Sequence, residues 1–223
     1  MIRTFNGMIV TIDGPAGTGK STVARTLAQR LGFEFLNTGA MYRAVALACL
    51  ERKVAIDDQP SVAELAGRLS IRFANNRIWL DSRDVSDKVH WEEVTQAASI
   101  VASNVAVREQ LVELQRACAI GTNLVTEGRD QGTIVFPHAE CKFFLTASPE
   151  ERAERRRKEL VAQGRELTMA ELLAQQTERD QRDETRTCAP LKPAEDAVLI
   201  DTSHLSLEAV VDHLLRHVRD CVR

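Results

Sequence analysis

Short β-branched runs alternate along the chain with stretches of helical periodicity, a rhythm typical of a parallel α/β sheet. The first run, Met8–Asp13, predicts a buried strand. Apolar residues then recur at four-residue spacing, which predicts a helix that Gly32 ends. We expect a second strand over Phe33–Leu36 and a second helix over Ala40–Leu50.

The middle of the chain departs from this rhythm. Ile71–Ala74 and Arg77–Asp81 alternate apolar and polar residues on either side of Asn75-Asn76, which predicts an antiparallel hairpin with an Asn-Asn turn. A hairpin inside an α/β rhythm predicts an inserted subdomain, at about residues 60–103.

The α/β rhythm resumes after helical patterns at 91–102 and 105–119. The later predicted elements are strands Asn123–Glu127, Cys141–Thr146 and Ala197–Asp201, and helices from 149, over 168–184 and over Leu207–Arg219. No repeat and no long linker divides the chain, so residues 1–223 are expected to form a single domain.

Composition and charge narrow the function classes. Hydrophobic residues make up 44% of the chain and aromatic residues only 4%, so aliphatic side chains must build most of the core. The formal net charge of −3 provides no broad basic field, and we therefore expect no nucleic-acid partner and no anionic membrane.

The cysteines and the apolar runs indicate the cellular compartment of the protein. Five cysteines are widely spaced without a CxxC pair, which argues against a disulfide framework or a structural zinc site. The apolar stretch before Asp13 is too short for a signal peptide, and the longest apolar run, Ala44–Leu50, is too short to span a membrane. We expect a soluble, cytoplasmic protein that acts as a monomer.

The segment after the first strand matches the phosphate-binding pattern G-x-x-x-x-G-K-[ST]. Its glycines let backbone N–H groups converge on a polyphosphate, and the following helix directs its positive N-terminus at the same anion. Lys20 would reach the β/γ-phosphates and the Ser21 hydroxyl would bind Mg²⁺. The candidate ATP-binding residues are Gly14, Pro15, Ala16, Gly17, Thr18, Gly19, Lys20, Ser21 and Thr22.

Three further clusters of polar residues could bind a ligand, and each could instead have an ordinary structural role. Thr38 and Arg43 follow the second strand, where α/β proteins bind ligands, but a helix cap and a solvated arginine would give the same pattern. Glu127-Gly-Arg-Asp130 follows a later strand and suits a polar ligand or a surface ion pair. The last cluster, at i, i+4 and i+7 of a helical pattern, suits a phosphate or ordinary salt bridges; it comprises Arg179, Asp183 and Arg186.

A run of alternating arginines and glutamates covers residues 150–159. Most such runs are solvated helix faces. Some of these arginines could instead close over ATP as a lid, and Arg152 and Arg156 are the catalytic candidates among them.

With these motifs in order, the chain resembles the bacterial cytidylate kinases of the nucleoside-monophosphate kinase group. The resemblance runs from about Met8 to Arg219 and rests on TIDGPAGTGKST, NTGAMYR, EGRDQGTIVFP and ERDQRDETRTCAPL. It implies a P-loop kinase fold with a five-stranded parallel sheet flanked by helices. It also implies a core (about 8–59, 104–147 and 166–223), a monophosphate-binding insert with a small antiparallel sheet (60–103) and a short lid (148–165).

The resemblance implies roles for individual residues. Ser99, Arg108 and Asp130 would read cytosine, Arg179 and Asp183 would meet the ribose, and Thr38, Arg43, Arg129 and Arg186 would hold the monophosphate. Lys20, Arg129, Arg152 and Arg156 would stabilise the transferring phosphoryl group. ATP and CMP or dCMP are the implied substrates, with Mg²⁺ at Ser21 and at Glu127 through water.

Three positions depart from the family pattern, which usually has Asp at 37, Asp at 127 and an apolar residue at 131. Asn37 removes a charge near the expected metal, and Glu127 extends a carboxylate by one methylene. Gln131 is the third departure.

Other functions stay open at this stage. A kinase for UMP or a sugar acid would share the P-loop. A non-enzymatic nucleotide-dependent switch would share it too, although the Asn-Lys-x-Asp guanine-binding motif of GTPase switches does not occur in the sequence.

Overall fold

The computed structural model describes residues 7–74, 76–162 and 164–221. The strands within these ranges are β1 (Ile9–Asp13), β2 (Glu34–Asn37), β3 (Ile71–Ala74), β4 (Arg77–Leu80), β5 (Arg83–Asp84), β6 (Leu124–Glu127), β7 (Cys141–Thr146) and β8 (Val198–Asp201). The helices are α1 (Lys20–Leu31), α2 (Thr38–Glu51), α3 (Gln59–Gly67), α4 (Glu92–Val101), α5 (Val105–Cys118), α6 (Pro149–Ala162), α7 (Met169–Thr185) and α8 (Leu207–Cys221).

The main sheet has five strands in the order β2-β6-β1-β7-β8. β1 is its central strand and pairs in parallel with β6 and β7, so that Val10 lies opposite Val125 on one side and Cys141 on the other. All five residues of β1 are buried, as expected for a strand covered on both faces. The predicted five-stranded parallel sheet is confirmed.

The predicted hairpin is also confirmed as β3 and β4, which pair antiparallel. Asn76 of its expected turn has a positive φ of 58°, whereas Asn75 lies outside the described residues. A third strand, β5, joins β4 through Asp81 and Ser82, both with positive φ (47° and 64°), as in a two-residue type I′ turn. β5 is only two residues long, too short to show an alternation in the sequence.

The described residues divide into two compact units. The first unit contains residue 7 and residues 35–122, and the second contains 8–34 and 123–221. The expected insert lies within the first unit and the expected lid within the second, apart from Gln163, which lies outside the described residues. The expected boundaries of core, insert and lid stay predictions. No helix in the described part of the chain is long and apolar enough to span a membrane.

Caps explain where several elements begin. α2 begins at Thr38, two residues before the expected start, because the Asn37 side-chain oxygen accepts a hydrogen bond from the Ala40 N–H at 3.0 Å. α3 was not predicted from the sequence. Its N-cap, Asp58, accepts a hydrogen bond from the Ser61 N–H at 3.2 Å.

Candidate active site

The phosphate-binding loop, or P-loop, joins β1 to α1 and lies in the second unit. Gly14 has a φ of +142°, and a Cβ there would lie 2.1 Å from the carbonyl oxygen of Leu145, so no other residue fits. A Cβ at Gly17 would lie 2.9 Å from the Cβ of Arg152. The loop is therefore held against β7 and α6, with the N-terminus of α1 available to an anion.

Lys20 is buried at the start of α1. Its ammonium group donates to the Pro15 carbonyl and lies 3.4 Å from the Thr18 hydroxyl. Burial lowers the pKa of Lys20 well below its ordinary value, and the nearby positive charge of Arg129 lowers it further, against the opposing effect of Glu127. An anionic phosphate beside Lys20 would favour its charged form, so this position suits a phosphate ligand.

Ser21 and Glu127 meet at the carboxyl end of β6. The Ser21 hydroxyl donates to Oε1 of Glu127 at 2.8 Å, and the Glu127 carboxylate is buried. Hydroxyl and carboxylate oxygens are the hard ligands that Mg²⁺ takes in nucleotide-dependent enzymes, usually one or two from the protein and the rest from phosphates and water. The two oxygens fit that metal, and the longer Glu127 side chain still reaches the serine.

Asp13, the last residue of β1, was not among the sequence candidates. Its buried carboxylate accepts hydrogen bonds from the N–H groups of Gln131 (2.9 Å) and Gly132 (2.8 Å). Burial raises the pKa of Asp13 to about 7, with a further increase from Asp130, against the lowering effect of the two hydrogen bonds and of Lys20. Asp13 thus fixes the short π-helix Gln131–Val135, which directly follows Arg129 and Asp130.

The arginine-rich cluster assembles around Asp183, near the end of α7. Arg129 donates from Nε to Asp183 at 3.0 Å, and Nη1 of Arg186 lies 3.8 Å from the same carboxylate. Burial alone would raise the pKa of Asp183, yet three guanidinium groups hold it below the ordinary value; they belong to Arg129, Arg179 and Arg186. Arg129 and Arg179 also lower the pKa of Lys20, so the P-loop lysine and this cluster share one electrostatic environment.

Asp130 is buried, and it directly follows Arg129 of this cluster in the sequence. Its carbonyl accepts the Val135 N–H at 3.2 Å, the i→i+5 bond that begins the π-helix, and also the Ile134 N–H at 2.9 Å. Its carboxylate contributes to the raised pKa of Asp13. The backbone of Asp130 is therefore anchored through its carbonyl to the start of the π-helix.

The arginines of α6 fall into two groups. Arg152 is buried, donates to the Ala16 carbonyl of the P-loop at 3.3 Å and pairs with Asp180 at 2.6 Å. Arg155, which the sequence analysis did not select, donates to the Gly17 carbonyl at 3.4 Å. Arg156 instead forms an i,i+3 ion pair with Glu159 at 3.0 Å.

Four of the candidate residues lie in the first unit, and two of them are at the N-terminus of α2. Thr38 is buried as the first residue of the helix. A Cβ built on Gly39 would lie 3.7 Å from Nη1 of Arg43, which places that guanidinium beside the first turn. A helix N-terminus with an adjacent guanidinium suits an anion.

The other two candidates of this unit, Ser99 and Arg108, are both buried. Nη1 of Arg108 donates to the Ala102 carbonyl at 3.1 Å, and the guanidinium lies 5.5 Å from the centre of the Tyr42 ring. This contact with Tyr42 could not be read from the sequence, because the two residues are far apart along the chain.

Asp13→Asn is predicted to change how stability depends on pH. Since the pKa of Asp13 rises from 3.8 to about 7 on folding, the folded state binds more protons between these values. The free energy of unfolding contributed by Asp13 therefore falls as pH rises through this window, by up to ~1.4 kcal/mol per pH unit. An amide does not titrate, so the difference between wild type and variant should carry this slope.

Denaturant unfolding at a series of pH values between about 4 and 7 measures this difference in the free energy of unfolding between wild type and Asp13→Asn. Asp201→Asn is the control, because the hydrogen bonds from Ser203 lower the pKa of this exposed carboxyl and its contribution changes at lower pH. Parallel pH profiles for wild type and Asp13→Asn would contradict the prediction.

Comparisons with known proteins agree with this geometry. The family model described as cytidylate kinase matches residues 10–220. A cytidylate kinase of Rhodopirellula baltica is 47% identical, over 97% of this chain and 94% of that protein. A cytidylate kinase of Pelotomaculum thermopropionicum is 50% identical, over 94% of this chain and 95% of that protein.

Among solved structures, an uncharacterized protein from Eubacterium ventriosum has a TM-score of 0.54 at 12% identity and covers 96% of this chain and 99% of that one. This likeness concerns the fold alone. The family match covers almost the whole chain, including the P-loop and the arginine cluster around Asp183, and the chain therefore belongs to the cytidylate kinase family.

Proposed function

We propose that this protein transfers the γ-phosphoryl group of ATP to CMP and so produces CDP and ADP. The proposal rests on one observation in a member of this family: the positive charges of Arg129 and Arg179 act on Lys20, the lysine of the P-loop. A phosphoryl donor and a phosphate acceptor both require such positive charge, whereas a nucleotide switch needs only the P-loop.

The donor side consists of the P-loop and the residues that support it. Backbone N–H groups of the P-loop after Pro15, together with the Lys20 ammonium, bind the β- and γ-phosphates. Arg152 donates to the Ala16 carbonyl of the P-loop, and its positive charge stabilises the phosphoryl group during transfer. Ser21, with Glu127 through water, would hold Mg²⁺, and the metal would supply neutralisation of charge on the phosphates.

The acceptor phosphate is held by arginines. Arg129 and Arg186 project from two different elements onto Asp183, which orients both guanidinium groups. Arg43 and the N-terminus of α2 at Thr38 provide the same chemistry in the first unit. Asp183 stays ionised at neutral pH because its pKa is lowered, so it can accept hydrogen bonds from ribose hydroxyls, and Arg179 can donate to the hydroxyl oxygens.

The base is read by hydrogen-bonding groups that match cytosine. Cytosine presents an N4 amino donor beside the N3 and O2 acceptors, and uracil has an oxygen in place of the amino group. Asp130 can accept from N4, while Ser99 and Arg108 can donate to the acceptors. A dCMP acceptor would keep all three base contacts, and we expect it to be phosphorylated as well.

The transfer itself needs no general base. A phosphate monoester has a second pKa near ~6, so its attacking oxygen is largely ionised at neutral pH. The arginines align this oxygen with the γ-phosphorus, and Lys20 stabilises the charge that shifts during transfer. Catalysis is thus alignment together with electrostatic stabilisation.

We also propose that the protein works as a monomer in the cytoplasm. ATP and nucleoside monophosphates are cytosolic metabolites, and all five cysteines are free thiols, which suits a reducing compartment. Sedimentation equilibrium of the purified protein tests the monomer directly.

A coupled assay of ADP release with CMP, dCMP, UMP and AMP tests the reaction. We expect the highest kcat/KM with CMP. A clear preference for UMP or AMP would replace the proposed acceptor, and binding of ATP without turnover of any monophosphate would favour a switch.

Lys20→Ala should lower kcat by about a hundredfold to a thousandfold, because it removes a donor to the group whose charge changes in the transition state. CMP binding should change little, since the lysine acts on the donor. Steady-state kinetics and CMP titration calorimetry measure the two effects. Lys192→Ala, an exposed lysine of the same unit, is the control, and near-normal kcat in a folded Lys20→Ala variant would contradict the P-loop role.

Arg43→Ala and Arg186→Ala should each raise the KM for CMP and lower kcat, with losses of about tenfold to a hundredfold. A charge-assisted contact to phosphate is worth roughly 1.5–3 kcal/mol. Arg52→Ala at the end of α2 and Arg182→Ala, one turn before Arg186, are matched controls. Cytidine binding should be unaffected; an equal loss for cytidine and CMP would show that these arginines contact something other than phosphate.

Asp130→Asn should reduce the CMP/UMP ratio of kcat/KM by about one to two decades. The carboxylate only accepts hydrogen bonds and so disfavours the O4 of uracil, whereas an amide can donate to it; a mismatched buried pair costs on the order of 1–3 kcal/mol. Any shift of the adjacent Arg129 affects both substrates and cancels in the ratio. If both efficiencies fell together at an unchanged ratio, Asp130 would support Arg129 instead of reading the base.

A further inference from the structure

Two cysteines that are distant in sequence lie at the ends of neighbouring elements in the second unit. Cys141 is the first residue of β7 and is buried, while Cys221 is the last residue of α8 and is exposed. Both are free thiols in the structure. Neither has a part in the proposed reaction.

The packing of α8 on β7 brings these two residues together. The rings of Phe143 and His217 make an edge-to-face contact with centroids 5.4 Å apart. Cys141 precedes Phe143 by two residues and so shares its face of the strand, about 6.7 Å away. Cys221 follows His217 by four residues on the same helix face, about 6 Å away.

Since the strand and the helix advance by nearly equal steps from this contact, antiparallel packing places Cys221 beside Cys141. In agreement with this packing, the Cys221 side chain contributes to the raised pKa of the Cys141 thiol, as a near neighbour would. The buried stripe of α8 leads to the same place: Val211, Leu214 and Val218 are buried, and Cys221 continues their 3-4-3 spacing.

We propose that Cys141 and Cys221 are a site of reversible oxidation, where a disulfide closes between the start of β7 and the end of α8. The pair combines an exposed thiol, Cys221, with a buried one, Cys141, that the packing of α8 on β7 brings beside it. The oxidant is a low-molecular-weight disulfide, and the site is independent of the proposed kinase reaction.

The exchange proceeds in two balanced steps. The Cys221 thiolate attacks one sulfur of the small disulfide; a Cys221–small-thiol bond forms, the small disulfide breaks, and one small thiolate leaves and takes a proton. Cys141 then attacks the Cys221 sulfur, loses its proton and displaces the second small thiol. In sum, two protein thiols become one disulfide and the small disulfide becomes two thiols.

The environments of the thiols set the order of these steps. Burial raises the pKa of the Cys141 thiol, and the neighbouring Cys221 raises it further. Cys141 is therefore a poor first nucleophile, and the exposed Cys221 reacts first. The raised pKa also predicts that closure is slower than formation of the mixed disulfide.

The site lies away from the P-loop along the sheet. Cys141 pairs with Val10, three residues before the end of β1, whereas the P-loop follows Asp13. The bond would fasten α8, the last helix of the chain, to the sheet. It should therefore stabilise the second unit without altering turnover.

Incubating the full-length protein with oxidised glutathione, followed by intact-mass and peptide mapping, tests the proposal. We expect the mass to fall by two hydrogen atoms, the titratable thiols to fall by two from the original five, and Cys141- and Cys221-containing peptides to be joined. Tm should rise by roughly 5–15 °C and return on reduction.

Cys221→Ser should abolish closure, and because this residue is exposed, the variant should fold. Cys118→Ser is the matched control and should close like wild type, since Cys118 belongs to the other unit. A persistent glutathione adduct at Cys221 without the internal bond, a Cys221-linked dimer, or closure in Cys221→Ser would each overturn the proposal. Kinase turnover is measured separately, so failure of the proposed function leaves this test intact.

Discussion

A buried carboxylate determines how the phosphate-binding part of this protein is built. Asp13 ends the central strand, where the chain turns into the P-loop, and it accepts hydrogen bonds from Gln131 and Gly132. The same side chain thus ties the beginning of the P-loop to the segment that carries Arg129 and Asp130. Each of the two carboxylate oxygens accepts one of these backbone N–H groups, whereas the isosteric amide of asparagine would place a donor group opposite one of them.

Two backbone hydrogen bonds and the nearby Lys20 offset only part of the cost of burying this carboxylate, and the charge of Asp130 adds to that cost. Lys20 lowers the pKa of Asp13, and Asp13 in turn raises that of Lys20, but burial outweighs this attraction for both groups. Around Asp183 the balance is different, because three arginines, Arg129, Arg179 and Arg186, act on one carboxylate. A cluster with surplus positive charge and restricted solvent is most stable with anions bound, and two phosphate groups are what phosphoryl transfer brings there.

Much of the fold and of the candidate site could be predicted from the sequence. The features that could not be predicted have no strong local sequence signal. The P-loop, the parallel strands and the hairpin were predictable because each has a local signature in periodicity or glycine spacing. The contacts of Asp13 with Gln131, of Arg155 with Gly17 and of Arg108 with Tyr42 join residues far apart along the chain. Such contacts depend on tertiary packing, which no local pattern records; the helix α3 and the two-residue β5 were missed because their signals are short.

The three departures from the family pattern are each accommodated by a hydrogen bond. Asn37 accepts from the Ala40 N–H and so caps α2 as an aspartate would, but it adds no negative charge beside Thr38 and Arg43. Glu127 spans the added methylene to reach Ser21 at 2.8 Å. Gln131 accepts from the buried Thr126 hydroxyl at 2.9 Å while its backbone N–H donates to Asp13, so its polar side chain costs little in the buried interior. Each change therefore alters the chemistry of a side chain, and each of the three side chains accepts a hydrogen bond in its new form.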